Sequence, residues 1–267
     1  MKNKPPIPLD EIHESILKAI RDLDWKTTRP ILAELVSRTP AHIEQALALE
    51  HTIPSPSGVT DCRRKLWFKS HSDGDGRALP EAWTYAAAVG TLVEPWWCKM
   101  LGLADPRLKV TNFTEPLDIA PGVKGTPDGE FEALDALFEL KSSGGWDYIY
   151  TNEKGVYKQN PGHVAQTNLY MDAAGKDWCL ILHNTVAPAL TRWIKNRKKD
   201  PAFEYPFFCL TWIRRDPEYV AELKERLLLI QEDKLKDEPA PREHSPSTTK
   251  WPCQVGCPNL KRCLEIG

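Results

Sequence analysis

Residues 125–143 read GTPDGEFEALDALFELKSS, in which Pro127-Asp128 is followed, after ten residues, by Glu139-Leu140-Lys141. Alternation of apolar and polar residues in VKGTPDGEF and in ALDALFELK predicts two strands, preceded by a third in KVTNFTEPLDI. Asp128 then ends one strand of a hairpin and Glu139 lies on the next, so that the two carboxylates converge. Lys141 is two residues past Glu139, and side chains two apart on a strand share a face. Two carboxylates and an ammonium on one face at a sheet rim suit a hard divalent cation, Mg²⁺ or Mn²⁺. Such an ion lowers the pKa of a bound water, and the lysine orients the resulting hydroxide or offsets charge on a phosphate. Taken alone, Asp…Glu-x-Lys is more often a solvated hairpin with a surface salt bridge.

Three features outside the hairpin shift that balance. Glu94, in GTLVE, is a lone carboxylate in the most apolar part of the N-terminal half, where burial demands a metal or a cation. Pro95 is expected to interrupt its helix and aim the side chain inward. Downstream, His163, Gln166 and Tyr170 fall at i, i+3 and i+7, so one helix face presents all three. Finally, Cys253, Cys257 and Cys263 close the chain among prolines and basic residues, with Cys62 far upstream in DCRRKLWF. Three closely spaced thiols and a remote fourth form a four-thiolate site for [4Fe–4S] or Zn²⁺. Zinc more often shows two short CxxC pairs, which favours iron–sulfur. Cys98, Cys179 and Cys209 sit in apolar runs and read as core residues.

Residues 9–50 carry apolar residues at helical spacing, punctuated by Pro30 and Pro40, and read as two or three short helices. Stretches 51–61 and 70–80 are Pro/Ser and Gly/Asp loops, and a helix is expected over 81–101. After the three strands comes a helix with Asn160 as N-cap, Pro161 at its first position and Gly175 past its end. WCLILH (178–183) and FEYPFFCLTWI (203–213) read as strands, and 218–235 as a helix. The tail 237–250 is a polar, Pro-rich linker. This order gives an α/β core with helical additions.

The 267 residues, 41% apolar and 27% charged, are in the ordinary globular range, which excludes wholesale disorder. No apolar run approaches the roughly 20 residues of a membrane span. The start MKNKPPIPLDEIHES has no apolar core of a signal peptide, so a protein inside the cell is expected. With 35 basic against 37 acidic residues the net charge is −2, and any nucleic-acid surface must be local. Cationic runs exist: Arg63-Arg64-Lys65, RWIKNRKK from Arg192 to Lys199, Arg214-Arg215 and Lys261-Arg262. Trp67, Trp193 and Trp212 stand near them, placed to stack on unpaired bases.

These residues together resemble the PD-(D/E)XK nuclease superfamily in its RecB-like branch, above all the CRISPR-associated iron–sulfur exonucleases and their phage relatives. The likeness runs from Cys62 to Cys263. Glu94 is similar to the first acidic motif, Asp128 in GTPDGEF to the second, and Glu139 and Lys141 in FELKSS to the third. Gln166 and Tyr170 resemble the Q-x3-Y helix motif, and Cys62, Cys253, Cys257 and Cys263 the cluster ligands. The chain departs from many relatives in its three-residue gap between Cys253 and Cys257, and in offering only Glu94 where they also carry a histidine.

The resemblance implies a restriction-endonuclease-like core, a central mixed sheet flanked by helices, over 61–236. A helical N-terminal extension (1–60) precedes it, and a linker with a Cys-rich cluster segment (237–267), joined by Cys62 of the core, packs on it. It implies that Asp128, Glu139 and the backbone carbonyl of Leu140 hold Mg²⁺ or Mn²⁺, with Glu94 completing the site. Lys141 would help the attacking water, while Gln166 and Tyr170 steady the lysine and the DNA. The four cysteines would hold a structural [4Fe–4S] cluster, with Zn²⁺ as the alternative. Arg63, Arg64, His163, Arg192, Lys195, Arg197 and Lys198 are the expected DNA-binding residues.

The expected activity is metal-dependent exonucleolytic hydrolysis of single-stranded or end-resected DNA in recombination, repair or phage replication. The setting would be the cytoplasm of a prokaryotic or phage-infected cell. No GxxxxGK[ST] loop occurs, so a free end, a helicase or a recombination partner must supply substrate. A homo-oligomer is compatible with this reading. Its rivals are an end-trimming endonuclease of CRISPR spacer acquisition, an inactive DNA-binding module, and a zinc-stabilised scaffold.

Overall fold

The protein is described by a computed structural model for residues 4–24, 26, 28–31, 33, 37, 54–71, 81–111, 115–186, 207–244, 257 and 259–266. Its frame is a five-stranded mixed sheet of order β1-β4-β5-β6-β7. The strands are β1 (Val110–Thr111), β4 (Gly129–Phe131), β5 (Ala136–Ser143), β6 (Trp178–Thr185) and β7 (Phe208–Arg214). Only β5 and β6 run parallel; the other neighbours are antiparallel. A separate hairpin pairs β2 (Leu117–Ala120) with β3 (Val123–Gly125). The expected α/β architecture, a mixed sheet flanked by helices, is therefore present.

Alternation along the central strands sorts side chains to two cores. Phe138, Leu140, Leu180 and Leu182 face one cluster with Trp97 and Leu101 of α3 (Glu81–Ala104). Ile12 and Ile16 of α1 (Leu9–Arg21) join this cluster, so the first helix packs with the sheet. Leu137, Cys179, Ile181 and Ile213 face the other cluster, with Ala165 and Leu169 of α6 (Pro161–Ala173) and Leu227 of α7 (Pro217–Lys234). Glu139 has the parity of Leu137, which sends its carboxylate toward the α6 side.

Several local expectations need correction. The three strands expected over 108–141 are five: KVTNFTEPLDI yields both β1 and β2, and VKGTPDGEF breaks at 126–128, where Pro127 has no N–H to give a ladder. The helix from Glu81 runs on through Pro95 to Ala104 without interruption. Burial of Trp97, Met100 and Leu101 just beyond the proline offsets its lost hydrogen bond. Asn160 stands between the short α5 (Val156–Gln159) and α6, but its amide pairs with the Thr151 hydroxyl at 2.7 Å instead of capping. Much of the expected second N-terminal helix, residues 72–80 of the loop expected over 70–80 and the first residues of the 203–213 strand lie outside the described residues, while Ser70 and His71 of that loop end the helix Arg63–His71.

Where it is described, the tail lies against the core. The helix α2 (Arg63–His71) holds it: Arg64 Nε donates to the Ala240 carbonyl at 2.7 Å and Trp67 Nε1 to that of Lys236 at 2.9 Å. Arg226 of α7 pairs with Glu243 at 2.5 and 2.8 Å and also donates to the carbonyls of Val59 and Asp61. Beyond it, Arg242 donates to the Cys263 carbonyl in the last helix, α8 (Leu260–Glu265). No described helix is long and apolar enough to cross a membrane.

Candidate active site

The site forms where β4 begins. Gly129 pairs with Phe138, so Asp128 stands one residue before the ladder and opposite Glu139. From Leu140 onward, β5 has no β4 residue beside it, and the Leu140 N–H would be left without a strand partner. Asp128 supplies one: its Oδ2 accepts from Leu140 N at 2.6 Å. The expected convergence of Asp128 with Glu139 is thus fixed by a strand ending early.

Glu139 is buried, and its Oε1 accepts from Lys141 Nζ at 2.6 Å. Lys141 Nζ also donates to Gln166 Oε1 at 2.9 Å, and Gln166 Nε2 donates to the Tyr170 hydroxyl at 3.1 Å. A chain of hydrogen bonds therefore runs from the strand carboxylate to the helix, through the residues that the spacing placed on shared faces. Glu139 Oε2 is buried with no hydrogen-bond partner. A buried carboxylate oxygen left so costs free energy on the order of 1–3 kcal/mol unless something answers it.

Glu94 reaches this corner from α3. One turn earlier, Gly90 approaches β5 so closely that a Cβ there would lie 3.6 Å from the Ser142 Cβ. Residues four apart share a helix face, so the same contact turns Glu94 toward the strand. Burial pushes the Glu94 pKa up to about 7; the Glu139 charge adds to this and Lys141 opposes it. Burial and then the Asp128 charge raise Glu139 to about 7, against Lys141. Asp128 is raised to about 6 by burial and the Glu94 charge, although Lys141 and the Leu140 N–H pull the other way. Burial works against the Lys141 ammonium, but Glu139 and Asp128 outweigh it and its pKa is raised. Among the described residues, the corner brings together three carboxylates and one ammonium.

Tyr170 is held by an absence. A Cβ at Gly125, in the GTPD stretch, would stand 2.7 Å from its ring and 2.8 Å from Pro56. Only glycine lets the hairpin, the 56–58 turn and the tyrosine meet. His163 does not join the lysine chain: its Nδ1 lies 3.1 Å from Nε2 of His183, a fully buried residue opposite Lys141 in the β5–β6 ladder. Burial, then the Lys141 charge, depresses His163 to about 3 and His183 to about 4, so both rings are neutral. Sequence reasoning missed His183. The signal was its place at the end of a buried strand, but using it required the β5–β6 register.

Among the described residues, no three His, Cys, Asp or Glu side chains are arranged to hold a metal ion as they stand. One oxygen each of Asp128 and Glu139 is already engaged, by Leu140 N and Lys141. Cys62, Cys257 and Cys263 line one cavity of about 600 Å³ between α2, the start of α6 and α8, which Arg64, Lys65, Arg242 and His163 also line. Cys253 lies outside the described residues.

Of the expected DNA-binding residues, Arg63 is engaged elsewhere: its Nε pairs with the buried Asp233 at 2.6 Å. Arg64 faces the cavity while holding Ala240. Arg192, Lys195, Arg197 and Lys198 lie outside the described residues, as does Trp193. Trp212 is a core residue whose Nε1 donates to the Ile7 carbonyl at 2.8 Å, so it is not a base-stacking side chain. Arg215 is paired with Asp172 and Asp177.

No family model matches the chain, and no curated protein matches it closely. The solved structures it resembles include exonucleases. An alkaline exonuclease from Laribacter hongkongensis is 18% identical, with a TM-score of 0.45 over 67% of this chain and 86% of that one. The same enzyme in complex with dAMP is 20% identical, with a TM-score of 0.48 over the same shares. A phage-related exonuclease from Haemophilus somnus 129PT is 19% identical, with a TM-score of 0.46 over 71% of this chain and 84% of that one.

Proposed function

We propose that this chain is a metal-dependent DNA exonuclease of the PD-(D/E)XK type. The observation that carries the reading is the buried Glu139, one oxygen on Lys141 and the other unanswered, with Asp128 and Glu94 beside it. A corner with three carboxylates and one ammonium fits a divalent cation by charge and by its hard oxygen donors. Asp128, Glu139 and the Leu140 carbonyl would hold Mg²⁺ or Mn²⁺, with Glu94 completing the set. The Leu140 carbonyl suits this because the N–H and C=O of one strand residue leave the strand on the same side, and its N–H already points at Asp128. Such an ion, when bound, supplies an acidified water and offsets charge on the phosphate.

The chain's own groups do the rest. Lys141 is kept cationic by Glu139 and Asp128 and is aimed by Gln166, which Tyr170 fixes in turn. From there its ammonium orients the attacking water against the phosphorus, and hydrolysis leaves one phosphate end and one hydroxyl end. Cys62, Cys253, Cys257 and Cys263 are proposed to bind [4Fe–4S], or Zn²⁺ in its place. The three described thiols line one cavity beside α2, but as they stand they do not form a group that could hold an ion. The substrate is expected to be DNA with a free end, delivered by a helicase or recombination partner.

The test is digestion of end-labelled linear DNA with Mn²⁺ or Mg²⁺ by wild type, Glu139→Ala and Lys141→Ala. Wild type should degrade the DNA, leave a circular single strand intact, and reveal its polarity through the label, while both variants are inert. Equal behaviour of all three would sink the assignment.

A further inference from the structure

One face of the helix that follows β5 has no part in the chemistry above. This helix, α4 (Gly145–Lys154), buries Tyr148, Ile149 and Thr151 against the protein, which fixes its orientation. Its opposite face carries Trp146, 42% exposed, and Tyr150, 37% exposed. The two rings are one turn apart and stacked, with centroids 5.7 Å apart and planes 23° from parallel. Lys154, a further turn on, places its Nζ 4.0 Å above the Tyr150 ring. Two aromatic rings, each partly exposed, therefore border solvent in a row that ends in a cation.

The row is near the carboxylate corner. Trp146 is five residues past Lys141, and a chain that short keeps their Cα atoms within about 18 Å. The row is too small for a lasting protein interface: two such rings, exposed to this degree, offer at most about 200 Å². A specific interface takes about 800 Å² from each partner. Flat faces of single-ring thickness suit a partner that is itself a stack of flat rings.

We propose that Trp146 and Tyr150, with Lys154 at the end of the row, form a stacking platform for unpaired bases of the strand that enters the carboxylate corner. The assignment rests on the nuclease reading and gives it a substrate form: the strand must be single where it crosses α4. Glu153 shares the exposed side with Lys154. The local charge is therefore nearly balanced, and the platform acts by stacking rather than by attraction to phosphate.

The experiment is anisotropy of a labelled oligo(dT) and of a blunt duplex, in chelator so that nothing is cut. It compares wild type with Trp146→Ala, Tyr150→Ala and Trp146→Phe. Each alanine variant should bind oligo(dT) about 10-fold more weakly, the size of one lost base–aromatic stack. Trp146→Phe should recover most of the loss, duplex affinity should not move, and the slope of log affinity against log salt should stay at the wild-type value.

Wild-type affinity in both alanine variants overturns the platform. So does equal loss on duplex and single strand, a wild type that binds no oligo(dT), or a self-association that Trp146→Ala abolishes while oligo(dT) binding is kept. Digestion by the same preparations separates this from the nuclease reading. Trp146-dependent binding without any cleavage leaves the platform and removes the nuclease. Cleavage with indifferent alanine variants does the reverse.

Discussion

Two carboxylates of this protein are almost equally hidden, Glu139 at 2% and Asp233 at 1% exposed, and their surroundings are opposite. Asp233, near the end of α7, has Arg63 Nε at 2.6 Å and Lys236 Nζ at 3.5 Å. Glu139 has one cation, Lys141, and faces Asp128 and Glu94 as well. Among the described residues, two cations pair with the first, whereas one pairs with the second and two carboxylates share its corner. A buried charge whose task is to hold the fold is surrounded by its opposites, as Asp233 is where it joins α2 to α7. One surrounded by its own sign raises the free energy of the chain until a cation arrives. The difference separates a structural ion pair from a site without any appeal to motif.

The comparison breaks most visibly if the two carboxylates are neutralised in turn. Asp233→Asn leaves Arg63, only 17% exposed, without its partner. Stability should fall by roughly 3 kcal/mol, read from denaturant midpoints. Metal-dependent DNA cleavage per folded molecule should stay at the wild-type level. Glu139→Gln should do the opposite. Cleavage should drop on the order of 1000-fold, since the group that completes transition-state charge stabilisation is gone. In chelator at alkaline pH the variant should melt no lower than wild type, because an anion is removed from an anionic corner. A Glu139→Gln protein that melts well below wild type would make this carboxylate structural and erase the contrast.

The same contrast has a pH signature. Glu94 and Glu139 have folded-state pKa values raised from 4.5 to about 7. The folded chain therefore binds their protons more tightly than the unfolded chain does. The stability this gives is full below 4.5 and is lost as pH rises through about 7. The neutral His163 and His183 act the other way, since their pKa values are depressed from 6.5. Their contribution is present above 6.5 and is lost as pH falls below it. Above about pH 7 the histidines of the unfolded chain are also mostly deprotonated and the carboxylates dominate, so the melting temperature in chelator should fall between about pH 7 and pH 8. Saturating Mn²⁺ should cancel that fall, adding about 2.7 kcal/mol at 100 times its dissociation constant. A flat chelator curve would mean that the corner carries no excess of negative charge.

How legible this was depends on the reach of each interaction. Glu139 and Lys141 could be placed together because strand alternation is local, and Gln166 with Tyr170 because a helix turn is local. Asp128 needed only a hairpin. His183 could not be found, since its position opposite Lys141 depends on β5 and β6 being parallel neighbours across a 34-residue separation from Ser143 to Trp178. The pinning of the tail by Arg64, Trp67 and Arg226 is likewise a product of packing between distant segments. Asn160 and Pro95 show the converse: correct local preferences overridden, one by Thr151 and the other by the burial of Trp97 and Leu101.

Gly125 is the finest instance of a constraint invisible in one dimension, and it gives the smallest expected effect. Its place in GTPD reads as a turn glycine, yet its φ is not among the positive values that favour glycine, which occur at Gly122, Gly155 and Gly175. What demands glycine is the Tyr170 ring, 2.7 Å from where a Cβ would be, with Pro56 on the other side at 2.8 Å. Gly125→Ala must push one of them away, at a cost of about 1–3 kcal/mol. Pro56 sits in a short turn and the Tyr170 ring has the greater freedom, so the tyrosine should move and loosen Gln166 and then Lys141. The expected outcome is a modest fall in cleavage, about 10-fold, with metal affinity unchanged because no ligand is touched. Paired with Tyr170→Phe, the effect should be sub-additive, since both act through the same hydrogen bond to Gln166. Full additivity in that double-mutant cycle would show that Gly125 guards the hairpin rather than the lysine, and the chain from strand to helix would end at Gln166.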